Sequence, residues 1–523
     1  MRRFNVTGLC VPATDYMVDI SGKLDKIMEL IDGGCYFTIN RARQYGKTTT
    51  LSLLQKTLPS EYICARISFE GLGDESFASS EVFCHTFMEL VQDALEFSEV
   101  SDEYRADWFD TQAITFKKLS KHITRMCKDK KLVLMIDEVD RTSNNRVFLH
   151  FLGILRDKFL SRKDSMDYTF HSVILAGVYD IKSIKLKMIN EGTYALSATE
   201  NKIYNSPWNI AVSFKVDMSF CPQEIATMLT AYEADHHTGM DISAIASEIH
   251  SYTDGYPFLV SRICQCIDEE LEQNWTPGSM HEAVKILLAE KNTLFDDIVK
   301  NLENNKELHD FMYGILIKGD AKKFVTHDPL IDFGAMFGFI KNSGGKAVIS
   351  NRIFELVMAD YFIAKESRSP ENKRINGVLQ YDVVKSGKFD MELCLRKFAA
   401  YYAEIFNERD YIFLENHGRL LFLSYLTPLI NGQGFYHIES QFTDLRRMDL
   451  VVDFGREQFI IELKLWRGEH KHEEAYQQLL GYLDSKRIDT GYLLTFDFRK
   501  GANKSLRAEW VDRGGRRIFD VVV

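Results

Sequence analysis

Proline is scarce in this chain, with 9 among 523 residues, and glycine is modest at 31. Collagen-like repeats and long Pro/Gly-rich disordered tracts are therefore excluded. The nine cysteines form no CxxC pair, and only Cys264 and Cys266 lie close together. That spacing excludes a disulfide framework and a cysteine-based zinc site, and predicts reduced thiols in the cytoplasm. No apolar run approaches the roughly 18 residues of a membrane span, and residues 1–15 lack a signal-peptide core. No membrane partner is expected. Positive charge is also in deficit: 64 Lys plus Arg face 75 Asp plus Glu, a net −11. A globally basic nucleic-acid binder is excluded, whereas a local basic groove is not.

What is present is a multidomain chain, since about 100–200 residues per domain predicts three or four domains. Up to residue 215, short apolar runs alternate with helical patterns. Strands are predicted at 35–40, 63–68, 132–136, 172–176 and 210–214. Such alternation predicts a parallel α/β sheet. Residues 216–300 read as amphipathic helices at 222–235, 242–252 and 257–273. Residues 301–370 read as helices followed by a hairpin, 338–340 and 347–349, turning at Ser343-Gly344-Gly345. That order fits a winged helix. A polar stretch, 366–377, reads as a linker. The last domain, 371–523, shows helices at 391–407 and 411–429, and strands at 436–441, 448–454 and 458–465. A helix at 473–485 and a last strand at 490–495 follow, with His470-Lys471-His472 before that helix reading as a hydrated loop. The tail beyond is rich in arginine and lysine, either a nucleic-acid-facing surface or a solvated charged tail.

Two chemical centres stand out. The apolar run 35–40 leads into Arg41-Ala42-Arg43-Gln44-Tyr45-Gly46-Lys47-Thr48, with a helix after it. A loop entering a helix offers backbone N–H groups and the positive end of the helix dipole to phosphates. Arg43, Gln44, Tyr45 and Gly46, with Lys47, Thr48 and Thr49, form the predicted cradle. Lys47 reaches the β/γ phosphates and Thr48 ligates magnesium. The full motif has glycine where Arg41 stands. A second buried run, 132–136, ends in Asp137-Glu138. Asp137 is the predicted second metal ligand, and Glu138 orients or activates water.

Residues 40–51 (NRARQYGKTTTL), 131–140 (KLVLMIDEVD), 206–214 and 254–262 (DGYPFLVSR) resemble the bacterial AAA-like ATPases related to the STAND and archaeal ATPase groups. The resemblance implies a P-loop NTPase sheet with a helical lid and ATP as cofactor. It implies that Gly255-Tyr256-Pro257 lies near the adenine, and that Arg262 faces the γ-phosphate. It also implies a homo-oligomer, or a partner protein bound through the ATPase domain.

The second centre lies in 448–465. If the hairpin turns at Gly455-Arg456, Asp449 faces Glu462, with Cβ atoms about 4.5–5.5 Å apart. Two such carboxylates repel unless neutralised, and a divalent metal does so. Lys464, two residues on, points to the same face. Asp449 … Glu462-Leu463-Lys464 resembles the PD-(D/E)XK nuclease core. The resemblance implies a restriction-endonuclease-like α/β domain using magnesium or manganese. It adds Glu415 as a further metal ligand and Gln478 as an accessory polar residue. The combined expectation is an ATP-dependent or ATP-gated nuclease cutting nucleic acid, taken as DNA, by phosphodiester hydrolysis. By analogy this would serve antiphage defence. The alternative is a STAND-like ATP-switched sensor or scaffold whose nuclease fold is a silent binding module.

Overall fold

The computed structural model describes residues 2–112, 115–139, 146–178, 208–318, 322–367, 383–385, 387–405, 418, 421–423, 425–427, 429–430, 434–438, 449–455, 457–466, 468–497 and 507–523. They divide into two units: Met1–Ala283 with Ala335–Gly338, and Val284–Gly334 with Phe339–Val523.

The first unit is built on a sheet of β1 (Tyr36–Asn40), β2 (Tyr62–Ser68), β3 (Lys131–Asp137) and β4 (Ser172–Gly177). The order is β1-β4-β3-β2 and every pairing is parallel. Residues 132–137 of β3 and all of β4 are buried. Such unbroken apolar runs suit strands covered on both faces by crossover helices. Phe83 and Phe87 of the helix Ser80–Leu95 meet Phe148 and Phe151 of the helix Arg146–Lys163 in the core beside Leu134 and Ile136. Residues 210–214, expected as a fifth strand, contribute only a single bridge, Phe37 to Val212. Val212 is exposed, so the run lacks the second buried face that holds a parallel strand. Three helices follow: Pro222–His236, Ile242–Thr253 and Pro257–Glu269. The second starts at an Asp241 side chain that accepts from Ala244 N, and the third at Pro257 in its first turn.

The second unit opens with the helices Thr293–Asn304 and Lys306–Tyr313. A small sheet follows, made of β5 (Lys322–Lys323), β6 (Ile340–Ser343) and β7 (Lys346–Ile349) in the order β5-β7-β6. Gly344 and Gly345 turn the β6–β7 hairpin with φ of 56° and 83°, the left-handed pair that a two-residue hairpin demands. Beyond the helix Arg352–Ser367 come the short pair β8 (Val384–Lys385) and β9 (Lys388–Phe389), then the helix Met391–Ile405.

The main sheet has six strands: β10 (Gly434–Ile438), β11 (Asp449–Phe454), β12 (Glu457–Leu465), β13 (Thr490–Phe496), β14 (Arg507–Arg513) and β15 (Arg516–Val522), ordered β10-β11-β12-β13-β15-β14. β12, β13 and β15 run parallel. The parallel step from β12 to β13 requires a crossover, and the helix Glu469–Lys486 supplies it. Its Ala475, Tyr476, Leu479 and Leu483 pack on Val451, Ile460, Leu493 and Ile518.

Two expectations are corrected here. Residues 490–496 are not the last strand, because the arginine-rich end folds back as the β14–β15 hairpin around Gly514 and Gly515, with φ of 52° and 76°. Its cations are engaged: Arg516 with Asp484 and Asp489, Arg513 with Glu473, and Arg507 with Glu509 and Asp520. Arg517 stacks over the Trp510 ring at 4.5 Å, and Arg499, Lys500 and Lys504 lie outside the described residues. His472, read as part of a hydrated loop, lies buried in the crossover helix instead. Its Nε2 sits 3.1 Å from Asp520 Oδ2, which also accepts from the Tyr476 hydroxyl at 2.7 Å. Asp520 is fully buried, and a carboxylate there requires such donors.

Removing that acceptor strands the buried His472 and Tyr476 donors and takes one of Arg507's two carboxylate partners. Asp520→Ala is expected to weaken the docking of the helix Glu469–Lys486 by about 3 kcal/mol. Amide hydrogen exchange in that helix should then rise about a hundredfold; unchanged protection would mean the cluster does not hold the helix.

Candidate functional site

The loop after β1 ends at Gly46, whose φ of 75° starts the helix Lys47–Thr57 from a left-handed residue. Gln44 is also left-handed, at 56°. Lys47 is 7% exposed, and its ammonium donates to the carbonyls of Arg41 and Ala42 at 3.0 Å each. The Thr48 hydroxyl donates to Asp137 Oδ2 at 2.7 Å. Asp137, 5% exposed, also takes the Glu138 N–H on Oδ1 at 3.0 Å. The ends of β1 and β3 thus meet across β4, which lies between them. Arg41, at the motif's missing glycine, turns its guanidinium away to the carbonyls of Asn40 (2.7 Å) and Val216 (2.8 Å), over the Phe214 ring. The side chain fastens the loop rather than filling it.

Tyr45 and Tyr256 meet edge to face, 4.6 Å between centroids. The Tyr45 hydroxyl pairs with Ser219 Oγ at 2.6 Å, and burial raises its pKa. Tyr256, itself buried, donates its hydroxyl to the Arg43 carbonyl. The lid helix Pro257–Glu269 is thereby tied to the loop. Gly255 holds the junction with φ of 71°, its carbonyl accepting from Phe220 N at 2.8 Å.

A cavity of about 350 Å³ adjoins the loop. Gln44, Tyr45, Gly46 and Thr49 line it from the loop side, and Pro257 and Phe258 from the lid helix. The opposite wall comes from the chain's first twenty residues, among them Asn5, Cys10, Met17 and Ile20. Asp15 braces that segment by accepting from Asn5 Nδ2 (3.1 Å) and Val11 N (2.7 Å), and Cys10 N reaches Thr49 Oγ1 at 3.3 Å. Sequence reasoning missed this wall, because the segment carries neither motif nor periodicity. Arg262 is not among the lining residues; it pairs with Gln265 at 3.0 Å and Glu270 at 2.8 Å. Mostly apolar walls beside polar loop atoms suit a flat heterocycle joined to phosphates. Thr48 and Asp137 are hard oxygen donors already in contact, which suits magnesium.

The second centre lies in the other unit. Asp449 stands opposite Glu462 in the β11–β12 register. Glu462 is fully buried, and the Lys464 ammonium ion-pairs with it. Gln478, on the crossover helix, carries a buried side-chain oxygen without a hydrogen-bond partner among the described residues. Two acidic positions facing in register beside a lysine are of the kind that a divalent cation neutralises. Glu415 lies outside the described residues.

A methyl group at Gly255 would come 2.0 Å from the Phe220 carbonyl oxygen. Gly255→Ala should cost about 2–3 kcal/mol and lower the first melting transition by several degrees in calorimetry; an unchanged melt would refute the strain.

Among solved structures, a Walker-type ATPase of Pyrococcus abyssi is similar at 12% identity and TM-score 0.45, covering 68% of this chain and 99% of its own. The Aeropyrum pernix ORC2 protein, solved in ADPNP–ADP complexes, is similar at 11% identity and TM-score 0.34, covering 70% of this chain and 98% of its own. Both likenesses are distant, and neither ligand nor activity passes from those proteins to this one. No curated protein sequence matches the chain. Among the described residues, no helix is long and apolar enough to cross a membrane. The model of the AAA-like domain family matches residues 15–360, a span that takes in both ends of the Thr48–Asp137 contact and the lid helix, and the chain belongs to that family.

Proposed function

We propose that the chain binds and hydrolyses ATP at the loop of Lys47, and that its nucleotide state controls a metal-dependent nuclease in residues 371–523. The Thr48–Asp137 contact carries the first half of the reading. Lys47 would leave the loop carbonyls for the β/γ phosphates, and the amides of residues 44–48 would cradle them. Thr48 and Asp137 would hold magnesium, which when bound neutralises phosphate charge. Glu138 would orient the attacking water, and the base would take the cavity bounded by Tyr45, Pro257 and the first twenty residues.

The buried Glu462–Lys464 pair, with Asp449 across the strand, carries the second half. A charge cluster in the apolar middle of a strand has no packing use and needs partners. Asp449 and Glu462 would hold magnesium or manganese, which when bound supplies an activated water. Lys464 would stabilise the charge that develops on the phosphate, and Gln478 would steady the water or the metal shell. The substrate is nucleic acid, taken as DNA.

Two measurements test the halves separately. Lys47→Ala should reduce phosphate release from ATP at least about a hundredfold; undiminished turnover would remove the nucleotide site. Plasmid, linear DNA and RNA should be offered to wild type and Lys464→Ala with magnesium or manganese, with and without ATP. Cleavage by wild type, lost at least about a hundredfold in Lys464→Ala, is the expected result. No cleavage of any substrate, or equal cleavage by both, would sink the nuclease half and leave an ATP-switched scaffold.

A further inference from the structure

The helix Phe116–Cys127 carries an arrangement that neither centre uses. Residues 117–131 hold seven lysines and arginines against one acid, Asp129, in a chain of net charge −11. At 100° per residue, Lys117, Lys118, Lys121 and Arg125 fall on one side of the helix, and Lys128 follows just past its end. All five are exposed. The other side is fixed in the core through Leu119, Ile123, Met126 and Cys127. The Thr115 side chain caps the helix by accepting from Lys118 N. The cationic row therefore stands on a rigid support. Arg125 leans on His122 (2.9 Å) and on Asp110 (3.6 Å). The side chains of Lys117, Lys118, Lys121 and Lys128 make no hydrogen bond or ion pair with any described residue.

Like charges four residues apart repel and weaken a helix, and this helix keeps them without interleaved acids. We infer that this face is a docking surface for the phosphate backbone of duplex nucleic acid, bound without sequence preference. The spacing supports that occupant. Lysines at i and i+4 rise about 6 Å along the axis. Phosphates of one strand recur about every 3.4 Å, so successive lysines can address alternate phosphates. The row from Lys117 to Lys128 spans about 17 Å. Among the described residues of the helix, this face presents no aromatic ring or amide side chain to read a base edge, so binding is electrostatic. Insertion into a membrane surface is excluded for this helix, because its apolar side is already buried. The inference concerns binding alone and stands whether or not residues 371–523 cleave.

The test uses the full chain in EDTA, so cleavage plays no part, with a labelled 30-base-pair duplex of arbitrary sequence followed by anisotropy at several salt concentrations. The variant is Lys117→Gln, Lys118→Gln, Lys121→Gln and Lys128→Gln together. At about 100 mM salt the variant should bind at least about tenfold more weakly. The slope of log affinity against log salt should shrink by about three to four, close to one per lost phosphate contact. The fourfold Lys→Arg variant should keep the wild-type slope. Circular dichroism of both variants should match wild type, because the changed side chains are exposed and make no hydrogen bond or ion pair with a described residue. Equal affinity and slope in the Gln variant would overturn the inference, as would absence of wild-type binding. Tighter wild-type binding to labelled poly-L-glutamate than to the duplex, lost in the Gln variant, would also overturn it by assigning the face to an acidic protein.

Discussion

A charge removed from water must find partners close by, because an uncompensated buried ion costs several kcal/mol. Both units are organised around that constraint. In the first, Lys47 is met by two loop carbonyls, and Asp137 by the Thr48 hydroxyl and the Glu138 amide. Each partner sits where a parallel strand hands over to a helix or loop. The loop can therefore close only if β1, β4 and β3 lie in register. In the second unit, Glu462 is met by Lys464, and Asp520 by His472, Tyr476 and Arg507. The His472 and Tyr476 contacts to Asp520 lock the crossover helix to the sheet below it. The polar chemistry and the fold are solved by the same few residues.

Much of this was legible in the chain. The buried runs at 132–136 and 172–176 read as parallel strands because they are apolar at every position. The facing of Asp449 and Glu462 followed from the turn at Gly455, since pairing across a hairpin is fixed by its loop. Other parts were not legible. Arg507–Arg513 reads as a charged tail because an edge strand carries its cations outward; only Gly514-Gly515 between alternating residues signals a hairpin. His470-Lys471-His472 looks uniformly hydrated until one turn of helix rotates His472 alone toward Asp520. The cavity wall from the first twenty residues has no periodic signature, because its shape comes from Asp15 gathering the Asn5 amide and the Val11 N–H. The basic face of the helix Phe116–Cys127 is hidden by a negative total, in which one cluster of seven cations disappears.

Arg41 shows how a motif departure is absorbed. Glycine at that position leaves room for phosphate. Here the larger side chain is drawn off to the carbonyls of Asn40 and Val216, where it also covers the Phe214 ring. The loop keeps its opening, and the strand-like run that failed to pair fully gains an anchor through its neighbour Val216.

Several ties around the nucleotide loop share a chemical form: a side chain grips a peptide oxygen. Lys47 grips residues 41 and 42, Arg41 grips 40 and 216, and Tyr256 grips 43. Every residue offers the same carbonyl, so the gripped positions are anonymous to selection while the gripping ones are not. These bonds by themselves ask for no particular side chain at positions 42, 43 and 216. Covariation between sequences would stay silent about contacts that hold this site together.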